Sequence, residues 1–415
     1  MLRSMFSAIS GLRAHQTKLD VTGNNIANVN TVGFKGSQTV FQDTLSQVIR
    51  AGGAPAADRG GTNPAQVGLG VKVAATTTNW TQGATQNTGR STDFMIEGDG
   101  FFVTRSGTED LYTRAGSFDF DGAGKLVAPN GAVLQGWMAD ANGDVNSNGP
   151  AGDLAVQYGQ DVAPKQTTAS SVKGNLPAGA ATGSFQTSAV MFDSQGVAQK
   201  VFYNFTKDPA PATDTWKLDV TAQKGNTPLL TGATVAFDNS GALTTPAAAT
   251  AGGPATVDLV TTAFPGWTSP VKLDLKGLTQ FGGAANLVAP EPDGYALGSL
   301  QSFQLGQDGT ITGVYSNGLM QPLGKLAIAS FNNPSGLEKA GSSSFRAGVN
   351  SGVASVGLAG AGGRGTLVSG ALEMSNVDLA EEFTGLIVAQ RGFQANSRVI
   401  TTSDQVLEDL VNLKR

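Results

Sequence analysis

Four groups of residues in this sequence have types and spacings that could do chemistry. His15 is the single histidine. A Ser-His or His-metal site needs that imidazole in a cleft, beside a nucleophile, base or second ligand. His15 instead falls inside a helical pattern, where an interface or solvent-facing role is expected. Asp119 and Asp121 lie two apart and could form a glycosidase pair. Beside the Asp121-Gly122 turn they read more simply as solvated turn acids. Asp144-Val145-Asn146-Ser147-Asn148-Gly149 matches the first half of an EF-hand loop, but the twelfth position is Ala155 rather than a bidentate Glu. A polar turn is expected there. Gly360-Ala361-Gly362-Gly363-Arg364-Gly365 has G-x-G-x-x-G spacing without the preceding strand and βαβ unit that would aim it at a pyrophosphate. It reads as a linker. Neither a G-x-S-x-G elbow nor a P-loop occurs. Trp80, Trp137 and Trp216 are scattered and suggest no aromatic platform for a glycan. The expectation is therefore a non-enzyme with no catalytic residue, no metal and no cofactor.

Composition points the same way. Charged residues are 14% of the 415, and 56 residues are glycine, against about 25% charged and about 7% glycine in ordinary domains. Such a chain suits short strands joined by tight turns, with a surface of small polar groups that copies of itself could cover. Net charge is −5 with no basic block, so the electrostatic footprint of a nucleic-acid binder is missing. Cysteine is absent, which excludes disulfides and thiolate chemistry. No apolar run reaches the roughly 18 residues of a membrane-spanning helix, so no membrane insertion is expected. The opening residues lack the apolar core and cleavage site of a secretory signal.

The elements that organise the chain are its two ends. Met5, Leu12, Leu19 and Ile26 recur every seven residues, with Leu2 and Ile9 on a second row. This is the pattern of a coiled-coil seam. It stops near Asn24-Asn25-Ile26-Ala27-Asn28, and Val29 to Lys35 reads as a turn with Gly33 at its centre and Phe34 as an anchor. At the other end Leu379, Leu386, Phe393, Ile400 and Leu407 keep the same interval, with Phe383 and Leu410 on the adjacent face. Ser375-Asn376-Val377-Asp378 suits a helix start, Glu381 and Glu382 suit the positive end of the dipole, and Lys414 and Arg415 the negative end. A helix from Val377 to Leu413 would run about 55 Å. A pair of such helices cannot bury both faces of its stripes, so partners outside the chain are implied. Both ends are expected to be loosely ordered in the monomer and to fold on assembly; limited proteolysis that leaves both ends of the monomer intact would count against this.

Between the ends the period changes to two. Val201, Tyr203 and Phe205 alternate with Phe202 and Asn204; Trp216, Leu218 and Val220 with Lys217 and Asp219; Val271, Leu273 and Leu275 with Lys272 and Asp274. Strict alternation indicates half-buried strands. Turn signals separate them, including Asn130-Gly131, Asn239-Ser240-Gly241, Asp308-Gly309 and Asn317-Gly318. Polar stretches near Asp140 to Pro150 and at Ala289-Pro290-Glu291-Pro292 mark the limits of an insertion. The expected fold is mixed but mainly β: two nested β-rich domains, with N- and C-terminal α-helices pairing as a coiled-coil-like inner domain. The boundaries are 1–70 and 364–415 for the helical polymerisation domain, 71–145 and 289–363 for a discontinuous β-domain, and 146–288 for an inserted outer β-domain.

Asn25-Ile26-Ala27-Asn28-Val29-Asn30-Thr31-Val32-Gly33-Phe34-Lys35 resembles the signature of the bacterial flagellar rod and hook axial protein family. Ser375 to Leu379, continuing through Ala389-Gln390-Arg391-Gly392-Phe393-Gln394-Ala395-Asn396, resembles that family's C-terminal block. Ile96 to Val103, Tyr112 to Phe118 and Tyr315-Ser316-Asn317-Gly318 are similar to its shared β-domain. The insertion, with Asp193-Ser194-Gln195-Gly196 and the strand after it, resembles the hook branch; the distal rod branch is expected to lack it. The resemblance implies terminal helices forming an inner tube and β-domains forming outer shells. It implies a homopolymer, with a distal rod protein, a hook cap and a hook-filament junction protein as neighbours. It also implies delivery by the flagellar export apparatus, without signal cleavage, to the extracellular hook. The assembly residues would be Met5, Leu12, Leu19 and Ile26 with Leu379, Phe383, Leu386, Phe393, Ile400 and Leu407. The alternatives are a distal rod subunit and, from another class, a secreted β-rich glycan-binding or hydrolase module.

Overall fold

The computed structural model describes the chain from residue 2 to 412, except 56–59, 141–142, 157–158, 160, 180–181, 209–214, 224–226, 248–252, 254, 260–265, 268 and 290–291. The expected helix-end charges Lys414 and Arg415 lie outside the described residues, as do Pro290, Glu291 and the side chains of Leu2 and Leu410. The chain divides into two compact units. One comprises Met1–Gln157, Phe303–Thr312 and Pro322–Arg415; the other comprises Tyr158–Ser302 and Gly313–Gln321.

The first unit contains both chain ends. Helix α1 spans Leu2–Ala27 and helix α2 spans Leu379–Asn412. Asp378 starts α2: its Oδ1 accepts the backbone N–H groups of Ala380 (2.8 Å) and Glu381 (3.4 Å), two donors that have no partner inside the helix. At the far end of α1 the Asn28 side chain donates back to the Asn24 carbonyl at 2.9 Å. After a short turn the chain runs out along Ser37–Asp43 and Ser46–Arg50, then returns along Ala65–Gly68 and Val71–Thr78, pairing antiparallel with itself. Gly52 and Gly53 therefore lie near the tip of a β-arm, where Gly53 pairs with Thr62, rather than in a free linker. Helix α1 lies on the base of the arm, where the Val71 N–H donates to Ser10 Oγ.

The sheet of this unit runs Glu338–Gly341, Ser344–Arg346, Glu109–Thr113, Phe101–Ser106, Val133–Met138, all antiparallel. Its core is aromatic: Phe101, Tyr112, Phe331 and Phe345 meet edge to face, with ring centroids 4.8 Å apart for Tyr112 and Phe331. A second layer holds Phe94, Phe102 and Phe118. The C-terminal approach to α2 is woven into this unit. Thr366–Ser369 pairs with Phe94–Glu97, and Ala371–Glu373 pairs with Thr85–Asn87.

The second unit is built on a meander, Ser184–Phe192, Ala198–Lys207, Thr215–Ala222, Thr227–Phe237 and Leu243–Thr245, each antiparallel to the last. Alternation decides which face is inside. Val201, Tyr203, Phe205, Trp216, Leu218 and Val220 are fully buried, while Asn204, Lys217 and Asp219 point away. Trp267, on the far side of the insertion, joins the same core. Among the described residues two pairings are parallel, Ala169–Ser171 with Val271–Asp274 and Gly174–Pro177 with Leu278–Phe281. They tie the start of the unit to its end. The unit begins at Tyr158, and its other limits fall inside the strands Gly298–Leu305, Thr310–Tyr315 and Met320–Leu326.

Phe205 is enclosed on every side, so Phe205→Ala leaves a cavity that the sheet cannot close. The expected cost is about 3–5 kcal/mol, read as a lower urea midpoint for the transition that exposes Trp216.

Candidate assembly site at the paired chain ends

Helices α1 and α2 pack antiparallel. A Cβ built on Gly11 would stand 2.8 Å from the Asn396 amide, and one on Gly392 would stand 2.6 Å from the His15 ring. Further along, Asn25 Nδ2 donates to Glu382 Oε1 at 2.7 Å. The seam is lined by small or short polar side chains at three- and four-residue steps. On α1 Gly11, His15, Thr22 and Asn25 face Asn396, Gly392, Gly385 and Glu382 of α2, while buried Ala14 lies beside Val71 and Val73 of the arm. Small residues at that spacing let two helix backbones approach closely.

The seven-residue rows flank this seam rather than fill it. Met5, Leu12, Leu19 and Ile26 are half-buried, as are Leu386, Ile400 and Leu407. Leu379 (41%), Phe383 (51%) and Phe393 (38%) stay exposed. The remaining apolar surface of α2, at Ile387, Val388, Val399 and Val406, is also exposed, and so is Phe6 on α1. The seven-residue rows are thus only partly covered in the monomer, and the most exposed apolar side chains of the pair, Phe6, Val388 and Val411, lie off them.

Below the helix pair the two ends are fastened to the β-structure by a polar junction. Asn25 Oδ1 accepts the Ser37 N–H at 2.9 Å while its Nδ2 donates to the Ser37 carbonyl at 2.7 Å, so one side chain closes the turn between α1 and the arm. Asn376 Oδ1 accepts the Gly36 N–H at 2.9 Å, and its Nδ2 reaches the carbonyls of Asn79 and Thr81. Gly33 adopts φ +65° and its Cα lies against the backbone of Arg114 and Ala115, where a Cβ has no room. Its N–H donates to the Glu373 carbonyl at 2.8 Å. Phe34 is covered by Lys339, whose Nζ sits 5.4 Å from the ring centroid.

The centre of the junction is charged. Glu373 and Lys35 have fully buried side chains, and Lys35 Nζ donates to Glu373 Oε1 at 2.6 Å and to the Thr81 carbonyl at 2.7 Å. Oε1 also accepts the Gly83 N–H at 2.9 Å. Arg114 NH1 lies 3.3 Å from Oε2, and NH2 donates to the Gly98 carbonyl at 2.8 Å. Burial pulls the Lys35 ammonium below its ordinary range and acts likewise on Arg114, with Glu373 opposing both. Lys35 and Arg114 stand inside the N-terminal and internal signature stretches. Glu373 precedes the C-terminal one and shows no pattern of its own; its only sequence signal is a carboxylate in an otherwise apolar short strand, Ala371–Glu373.

The other chemical candidates settle into structural roles. His15 is half-buried against Gly392 and meets Phe41 edge to face at 5.7 Å. Asp119 pairs with Arg90 at 2.8 Å, and Asp121 Oδ1 accepts the Ala123 and Lys125 N–H groups within its own turn. Asp144 and Asn146 sit in a polar turn, as does Gly360 to Gly365, closed by the Gly360 N–H to the Gly365 carbonyl. Among the described residues, no group of three His, Asp or Glu side chains could hold a metal ion.

Family models match in the order the geometry suggests. "Flagella basal body rod protein" covers 5–35, "Flagellar hook protein FlgE/F/G D1 domain" 95–175, "Flagellar basal body protein FlaE D2 domain" 162–295 and "Flagellar basal body rod FlgEFG protein C-terminal" 368–413. The flagellar hook protein FlgE of Treponema pallidum is 40% identical over the whole of both chains. This chain belongs to the flagellar hook protein family. The FlgE of Salmonella typhimurium is 36% identical across 99% of this chain and all of its own. A Bacillus subtilis protein named flagellar basal-body rod protein FlgG is 33% identical over the whole of both chains. That relative spans the insertion too, so the insertion does not by itself separate hook from rod names. As in its hook relatives, the chain's role is structural.

Two outcomes follow from this geometry. Gly33→Ala forces a side chain into backbone at positive φ and is expected to cost about 2–4 kcal/mol, seen as a lower thermal midpoint. Burial, then the nearby Lys18 charge, holds the His15 pKa below 6.5. The unfolded chain therefore takes up the proton first. The helix pair should lose stability as pH falls from 6.5 to the lowered folded value and no further on this account. His15→Phe should flatten that part of the stability–pH curve measured by helix circular dichroism.

Proposed function

We propose that the chain polymerises through its paired ends into a flexible helical tube that carries torque from rod to filament while bending. The single observation that carries this reading is the apolar surface left on α2, with Phe383, Ile387 and Val388 all more than half exposed. A helix pair buried along one seam only, with large apolar side chains on its outer faces, needs cover from outside the chain. Contacts that repeat head to tail without closing on themselves build an open tube. The assembly residues are Met5, Leu12, Leu19 and Ile26 on α1 with Leu379, Phe383, Leu386, Phe393, Ile400 and Leu407 on α2. The helices form the inner wall and the β-structure lies outside.

The partners are further copies of the chain, a distal rod protein at one end, a hook cap during growth and a hook-filament junction protein at the other end. The flagellar export apparatus delivers the subunit to the cell exterior without signal cleavage. No catalytic step is assigned. A distal rod role is the second reading, favoured by the full-length match to the rod-named Bacillus protein. A glycan-binding or hydrolytic module has little to draw on, since Asp119 and Asp121 are engaged in an ion pair and a turn.

Phe383→Asp places a charge on the exposed face without touching the α1–α2 seam. Concentrated in a kosmotropic salt and viewed by negative-stain microscopy, the wild-type chain should form tubes and the variant none, with helix content unchanged. Tubes of normal length from the variant would remove α2 from the interface.

A further inference from the structure

The Lys35, Arg114 and Glu373 cluster joins three parts of the chain that are remote in sequence. Lys35 and Glu373 are 338 residues apart, and Arg114 and Glu373 are 259 apart. The cluster holds two cations and one carboxylate, and all three side chains are at least 95% buried. Asp99, which also favours the charged form of Arg114, is exposed and screened.

We infer that Glu373 is an assembly latch: the N-terminal turn carrying Lys35 seats on the β-structure only when the C-terminal segment carrying Glu373 has arrived, so that the two chain ends dock in one step. The physical reason is the charge count. Without Glu373, seating Lys35 would bring a second uncompensated cation beside buried Arg114, and a buried charge without its partner is strongly disfavoured. With Glu373 in place, one carboxylate serves both cations and also accepts the Gly83 N–H. Two further hydrogen bonds tie the turn to the C-terminal segment, beside those it makes with Asn25, Asn79 and Thr81. Gly33 donates to the Glu373 carbonyl and Gly36 to the Asn376 side chain, so the first-made end is held by groups on the last-made end. A chain synthesised from its N-terminus therefore keeps the Lys35 turn unseated until Ala371–Glu373 pairs with Thr85–Asn87. This inference concerns the single subunit and stands apart from the tube reading.

Hydrogen exchange on the full-length monomer tests it. Glu373→Gln keeps the shape and the acceptor but removes the charge. Amide protection at Gly36 and Ser37 should fall on the order of a hundredfold, while Phe94 and Leu126, whose amides bond within the β-structure, keep theirs. Lys35→Met leaves one cation with one carboxylate and should perturb the turn far less. Adding Lys35→Met to Glu373→Gln should restore most of the lost protection. The inference fails if Glu373→Gln exposes only 371–376 and leaves Gly36 and Ser37 protected, or if the double variant is worse than Glu373→Gln alone. Should Glu373→Gln prove too unstable to purify, Lys35→Met decides: protection near wild type supports the latch, and collapse of the turn overturns it.

Discussion

One buried carboxylate governs how this chain closes. Glu373 sits where the approach to α2, the turn after α1 and the β-structure converge, and it balances Lys35 and Arg114 in a place that water does not reach. Ion pairs at this depth do not create much net stability, because desolvation offsets most of the attraction. They create dependence: the two cations are tolerable together only with the carboxylate present. The turn after α1 shares that dependence through Gly33, whose N–H bonds to the Glu373 carbonyl, and Gly36, whose N–H bonds to the Asn376 side chain.

The helix pair divides its residues between two tasks. Glycine and short polar side chains make the seam within the chain, so the backbones come close without using the large apolar residues. Leu379, Phe383, Phe393 and the valines of α2 remain outside. A coiled-coil seam filled by leucine would have left little apolar surface for other subunits. Because the seam is made of small groups, the monomer can keep a defined helix pair and still present a sticky outer face. The β-arm adds exposed apolar side chains of its own, at Val40, Leu45, Val48, Ile49, Val67 and Leu69.

Much of the fold was legible in residue order. The alternation at Val201, Tyr203 and Phe205 and at Trp216, Leu218 and Val220 named the buried face of the second unit, because a strand's side chains switch sides at every residue. A helix start within Ser375 to Asp378 and the Gly33 turn were also legible, since few residue types suit those backbone positions, although the cap is Asp378 and the helix begins at Leu379. The helix seam was not. A seven-residue apolar row looks like the contact surface of a helix, yet the contact runs through Gly11 and Gly392, which carry no hydrophobic signal. Nor was it legible that the strands Gly298–Leu305, Thr310–Tyr315 and Met320–Leu326 each carry the chain from one unit to the other.

The sequence by itself determined the periodicities, helical ends and a strand-rich middle, and through its lack of cysteine it excluded thiol chemistry. These are local properties, set by propensity and by which side chains must leave water. The tertiary structure decided which distant residues share a site. Lys35, Arg114 and Glu373 meet because Ala371–Glu373 pairs with Thr85–Asn87 and brings the last part of the chain to the first. The parallel pairings of Ala169–Ser171 and Gly174–Pro177 with strands about a hundred residues later are of the same kind. No local pattern encodes such meetings, because their energy comes from burial and charge balance that exist only once the chain has closed.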